Sequence, residues 1–207
     1  MRERYRTVQR EADGEITEKR SRFIAHAKPV KSEEEAIAFI EEIRKSYWDA
    51  RHNVYAYIIE ENSIQRYSDD GEPAGTAGVP VLEILKKEDL SNVVVVVTRY
   101  FGGILLGTGG LVHAYSKAAK AGIEAAGPVE MVLSRELMLS CEYTVLGKLQ
   151  NELAQCHAVT GEAVYTDSVK IPVFLPVSET ESFKKGIIDK TNGRIEIECG
   201  GTEYIMR

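Results

Sequence analysis

Residues 92–122 read "NVVVVVTRYFGGILLGTGGLVHAYSKAAKAG". Five consecutive valines, Val93 to Val97, leave no polar alternation, so the spacing predicts a strand buried on both faces beneath helices. The run then meets Thr98, Arg99 and Tyr100, passes through Phe101 and a glycine-rich loop, and resumes as a helix over about 109–126. Gly127 and Pro128 stop that helix. In an α/β sheet the carboxyl end of a central strand is where ligands collect. Gly102, Gly103, Gly107, Gly109 and Gly110 permit positive φ and close approach of a partner. The helix N-terminus that follows presents free N–H groups and a dipole that favours an anion. Strand, loop and helix therefore predict a phosphate cradle, with charge from Arg99 and a stacking surface from Tyr100. There is no GK[ST] of a Walker A loop, and GxGxxG is not in its usual context. Tight strand-to-helix packing is the competing explanation of the glycines.

Outward from this stretch, "YRTVQR" (5–10) and "EITEKRSRFIAHAKPV" (15–30) read as two strands hairpinned across "ADGE". "SEEEAIAFIEEIRKSYW" (32–48) is an amphipathic helix with Ser32 and Glu35 as a capping box. "HNVYAYIIE" (52–60) is a strand that "SIQRYSDD" (63–70) pairs with across an "EEN" turn, and "VPVLEILKKEDL" (79–90) is a short helix. After Pro128 the order becomes strand (130–143), helix (145–157), two strands (161–177), helix (178–193) and closing strand. That β-α-β-β-α-β order predicts a ferredoxin-like split arrangement. The fold class expected is α+β: an N-terminal ribosomal-protein-like α/β sandwich domain over 1–132, and a small ferredoxin-like domain over 133–207.

The 207 residues are 43% apolar and 28% charged, ordinary globular usage with a net charge of −6. That balance argues against nonspecific polyanion binding but leaves room for a local basic patch. Cys141, Cys156 and Cys199 form no CxxC pair, so no zinc site of the usual spacing is expected. The N-terminus lacks an apolar leader and no apolar window spans a bilayer, so the expectation is a cytoplasmic protein with no membrane contact. In "YSDDGEPAGTAGVP", Asp69, Asp70 and Glu72 are metal candidates, or simply a solvated turn. His52 and Asn53 begin a strand, with no cysteine nucleophile in reach. No GxSxG or HExxH motif occurs, no catalytic residue stands out and no cofactor is expected.

"KRSRFIAHAKPV", "DARHNVYAY", "SDDGEPAGTAGVPVL" and above all "VVVVVTRYFGGILLGTGGLVHAY" resemble the IMPACT/YigZ family over about residues 15–128. The remainder resembles the small second domain of its bacterial members. The resemblance implies an N-terminal fold shared with a small-subunit ribosomal protein and the GHMP kinases. For the second domain it implies a likeness to the last domain of translocation elongation factors. It also implies a link to translational control through the family's relatives, and a nucleic-acid or ribosome-binding role through these analogies of fold. The serine-rich nucleotide loop of those kinases is not reproduced. The function expected is RNA or ribosome binding. Arg99 and Arg66 would meet phosphates, Tyr100 and Phe101 would stack on bases, His52 and Asn53 would hydrogen-bond, and the 102–110 loop would donate amides. Two alternatives stand beside it: an enzyme on a phosphorylated small molecule or nucleotide with a metal at Asp69–Glu72, and a protein-interaction adaptor.

Overall fold

Val93, Val95 and Val97 pack into one core and Val94 and Val96 into another, and all five are fully buried. A strand alternates its side chains, so two hydrophobic cores on opposite faces require helices on both sides. Burying each valine contributes roughly 1.5–3 kcal/mol relative to exposure. In this computed structural model, which describes residues 2–60, 63–156 and 158–207, the chain divides into two compact units. One is Tyr5–Glu130; the other is Met131–Arg207 together with Arg2–Arg4.

In chain order the first unit contains β1 (Arg4–Val8, which starts in the other unit), β2 (Ala12–Glu18), β3 (Ser21–Pro29), α1 (Glu33–Ser46), β4 (His52–Ile59), β5 (Ile64–Ser68), α2 (Gly78–Lys87), β6 (Val93–Tyr100) and α3 (Gly107–Ala126). Its sheet has the order β2-β3-β6-β4-β5, and every neighbouring pair is antiparallel. The rule that places ligands at the carboxyl ends of parallel strands therefore gives the end of β6 no special status. The odd valines face α2 and α3, through Val81, Leu85, Leu111, Ala114 and Ala118. The even valines face α1, through Ala36, Phe39, Ile40 and Ile43. Ser32 caps α1 by accepting from the Glu35 N–H at 3.3 Å, and the Glu35 carboxylate reaches back to the Lys31 N–H at 2.7 Å.

The first hairpin lies elsewhere than its composition predicts. "ADGE" sits inside β2, and the turn is Lys19–Arg20, closed by the pair Glu18 and Ser21. The reason is Gly14. A Cβ there would lie 2.3 Å from the Ala121 carbonyl carbon of α3, so this glycine serves a strand-to-helix approach and not a turn. The predicted pairing of β4 with β5 is present; Glu61 and Asn62 of its expected turn lie outside the described residues.

The second unit holds β7 (Pro128–Cys141, whose first three residues belong to the other unit), α4 (Tyr143–Gln155), β8 (Val159–Thr160), β9 (Val164–Tyr165), β10 (Val169–Pro176), a 3-10 turn, α5 (Thr180–Thr191) and β11 (Ile195–Met206). The order β11-β7-β10-β8, with β9 also on β10, is the antiparallel 4-1-3-2 sheet of a ferredoxin-like fold. Leu137, Leu139, Val173 and Leu175 meet Leu149 and Ile187 of the two helices in its core. The predicted helix to residue 157 stops at Gln155, and His157 lies outside the described residues. Among the described residues no helix is long and apolar enough to cross a membrane. Gly147 lies in α4, exposed, with nothing within 4 Å of an added Cβ. Gly147→Ala is expected to stabilise this unit by about 0.5–1 kcal/mol, read from chemical denaturation.

Candidate functional site

Arg99 is the last odd-numbered position of β6, so its side chain turns toward the α2 and α3 face and not outward. Phe23 of β3 and His52 of β4 sit directly opposite it. Only 7% of Arg99 is exposed. Its guanidinium donates to the Glu72 carboxylate at 2.5 Å, and the same oxygen accepts from the Tyr115 hydroxyl of α3 at 2.8 Å. The guanidinium carbon lies 5.4 Å from the centre of the Phe23 ring and 5.7 Å from that of Phe101. Burial and the Glu72 charge hold the Tyr115 phenol far above its usual range, so it stays protonated and donates. Arg99 was expected to offer free charge to a phosphate. The structure corrects this: its charge is matched by Glu72 beneath a cover of aromatic rings.

The three carboxylates proposed for a metal are also spent separately. Asp69 accepts from the N–H groups of Gly75, Ala77 and Gly78 at 2.8, 3.0 and 2.8 Å, which caps the start of α2 from a distance. Asp70 takes the Asn53 N–H at 2.6 Å and Arg44 at 3.1 Å. Glu72 holds Arg99. Among the described residues, no group of three or more His, Cys, Asp or Glu side chains could hold a metal. The loop has a structural reason for its composition, since Asp70 and Gly71 both take positive φ.

His52 and Asn53 project from opposite faces of the sheet. The His52 Nδ1 lies 2.8 Å from the Asp70 carbonyl, which can only accept, so Nδ1 carries the proton. Its Nε2 is 3.9 Å from Glu72. Asn53 is buried on the α1 face, where its side-chain oxygen accepts from the Thr98 hydroxyl at 2.7 Å. Arg66 pairs across the strands with Tyr57, whose ring belongs to the α1-side core. It therefore stands on the face away from Arg99, near Glu33 at 3.7 Å. His52, Asn53, Arg66 and Arg99 do not form one surface.

What the end of β6 does present is different. The Tyr100 hydroxyl donates to Asp49 at 2.8 Å and ties down the turn that carries Trp48 and Arg51; burial and Asp49 raise its phenol above the usual value. Trp48 is 82% exposed and Phe101 51%. Arg51 is exposed and has no partner among the described residues. Gly102 packs against the Arg20 backbone, while Gly103 and Gly107 take positive φ in the loop that leads to α3. Among the described residues no side chain caps α3, and Thr108 and Gly109 at its start are exposed, with Gly110 half-buried. Trp48 and Arg51 are not among the residues expected from the sequence, where their one signal is a single tryptophan between basic residues just past a helix end.

The family model described as the Impact N-terminal domain matches residues 19–123, and a domain of unknown function matches 139–194. The chain is 44% identical over 204 residues to the IMPACT family member YvyE of Bacillus subtilis, covering 98% of this chain and 94% of that one. It is 35% identical to YigZ of Escherichia coli, covering 86% and 89%. A Protein IMPACT homolog of Dictyostelium discoideum is 41% identical over 103 residues, covering 47% of this chain and 29% of that protein. A crystal structure described as that of a hypothetical protein aligns with TM-score 0.61 at 32% identity, covering 95% of this chain and 97% of that one.

Proposed function

This chain belongs to the IMPACT family, and from that premise we propose that it is a cytoplasmic protein that binds single-stranded RNA, in translation and on the ribosome, through the exposed end of β6. The observation that supports this is the exposure of Trp48, Arg51 and Phe101 at the edge of the sheet where β6 ends, tied there by the Tyr100–Asp49 bond and the pairing of His52 with Arg99. Exposed rings stack on unpaired bases and a guanidinium pairs with phosphate, while uncapped amide N–H groups donate to an anion. The buried Arg99–Glu72–Tyr115 cluster acts here as a support: it holds β6 to α3 and seats the Phe101 ring.

The test is equilibrium binding of the full chain to a labelled single-stranded oligoribonucleotide and to its duplex, over a range of salt. Trp48→Ala and Phe101→Ala are each expected to cost about 1–3 kcal/mol, one lost base stack apiece, and the duplex to bind more weakly. Equal affinity of both variants and the wild type would remove the surface from consideration. A polypeptide partner is the second reading, favoured by Leu105, which is 83% exposed in the same loop. In that case binding to ribosomal proteins would persist at high salt and fall with Leu105→Ala.

A further inference from the structure

The β2–β3 turn carries a conformation that its residues do not favour. Lys19 and Arg20 both have positive φ, 44° and 68°. A two-residue hairpin turn with two positive φ values suits Asn-Gly, and long L side chains are strained there. The other non-glycine residues with positive φ among the described residues are Ser63, Asp70, Asp89, Asn92 and Asn192, all short and polar. Lys19 and Arg20 stand apart from that set. Both are exposed, and neither has an ion-pair or hydrogen-bond partner among the described residues. The fold therefore retains strain at two cations that do nothing for the fold. Such strain collects at functional positions.

The turn is also held in place. A Cβ on Gly102 would lie 2.0 Å from the Arg20 carbonyl carbon and oxygen, and the Gly102 N–H donates to the Ser21 hydroxyl at 3.2 Å. Its position follows from β2 and α3 running in opposite directions. The Gln9 N–H bonds the Ala126 carbonyl at the end of α3, and Gly14 touches Ala121. Five residues of strand from Gly14 to Lys19 span about 17 Å, and twelve residues of helix from Ala121 back to Gly109 span about 18 Å. The tip thus arrives beside the first turn of α3 and Phe101. Arg22 below it is committed to Glu15 by two bonds of 2.8 Å and takes no part.

We infer that the Lys19–Arg20 tip is a clamp for adjacent backbone phosphates of an RNA strand whose bases stack on Phe101. This rests on the RNA reading of that end of the sheet and names residues outside it. The experiment uses the full chain in two double variants, Lys19→Asn with Arg20→Gly, and Lys19→Gln with Arg20→Gln. The first relieves the strain and removes the charge; the second removes the charge alone. With single-stranded RNA, both are expected to weaken binding about tenfold and to lower the slope of log affinity against log salt by about 1.4, two contacts at about 0.7 each. The Asn-Gly variant is also expected to melt about 3 to 5 °C higher than the wild type. Loss of binding together with a gain in melting temperature supports the clamp. If both variants bind like the wild type while Trp48→Ala and Phe101→Ala weaken binding, the clamp is wrong and the RNA surface stands. No RNA binding by the wild type overturns both. A lower melting temperature for Asn-Gly overturns the strain on which the inference is built.

Discussion

Glu72→Leu destabilises the first unit by about 3 to 5 kcal/mol, the cost of leaving a buried guanidinium without its counter-charge. Arg99 and Glu72 are 7% and 9% exposed, and the Nε of Arg99 already lacks a hydrogen-bond partner among the described residues, so no water shell takes over when the carboxylate goes. The Tyr115 hydroxyl loses its acceptor in the same substitution. The double variant Glu72→Gln with Arg99→Met removes both charges and keeps an oxygen for Tyr115, and it should recover most of the loss. Urea denaturation followed by circular dichroism distinguishes the cases. Equal losses in the single and double variants would mean that the pair contributes only as packing. Broken pairing and absent pairing differ because the desolvation cost falls on a charge that remains, not on one that has been removed.

Gly14→Ala produces a loss of similar size by a different route. The added methyl would lie 2.3 to 2.5 Å from Ala121 C and O and Gly122 N, all backbone atoms of α3. A helix backbone cannot rotate aside as a side chain can, so β2 and α3 must separate. The cost expected is at least about 3 kcal/mol, at the upper end of overpacking effects. Thermal denaturation of the full chain checks it: the melting temperature of the first unit should fall by roughly 6 °C or more. A wild-type melting temperature would contradict the closeness of the strand and helix.

Most elements were legible because their periods were clean. The valine run, the α1 stripe with its Ser32 cap and the alternation of strands and helices after Pro128 each pointed to one structure. Turn chemistry was less legible. Lys19–Arg20 has none of the residues that mark a hairpin, while the glycine that looked like a turn, Gly14, was needed where a helix comes close. The direction of Arg99 was half legible. Period two places it on the same face as Val93, Val95 and Val97, but sequence does not say that Glu72, far along a loop, returns to meet it. The acidic loop misled for a related reason: Asp69, Asp70 and Glu72 are neighbours in sequence, yet each carboxylate turns to a different backbone or cation. Trp48 and Arg51 became meaningful only once Tyr100 was seen to reach Asp49.

The second unit claims the chain's first residues as well as its last. The Leu133 N–H donates to the Glu3 carbonyl and the Tyr204 hydroxyl to the Arg2 carbonyl, at 2.7 and 2.8 Å. Synthesis proceeds from the N-terminus, so Glu3 meets Leu133 only after about 130 further residues have been made, and Arg2 meets Tyr204 only after about 200. The first unit can gather its five-stranded sheet while the rest is still being translated. The leading segment must wait, and the second unit is completed by a contact between residues 202 positions apart in the chain, Arg2 and Tyr204.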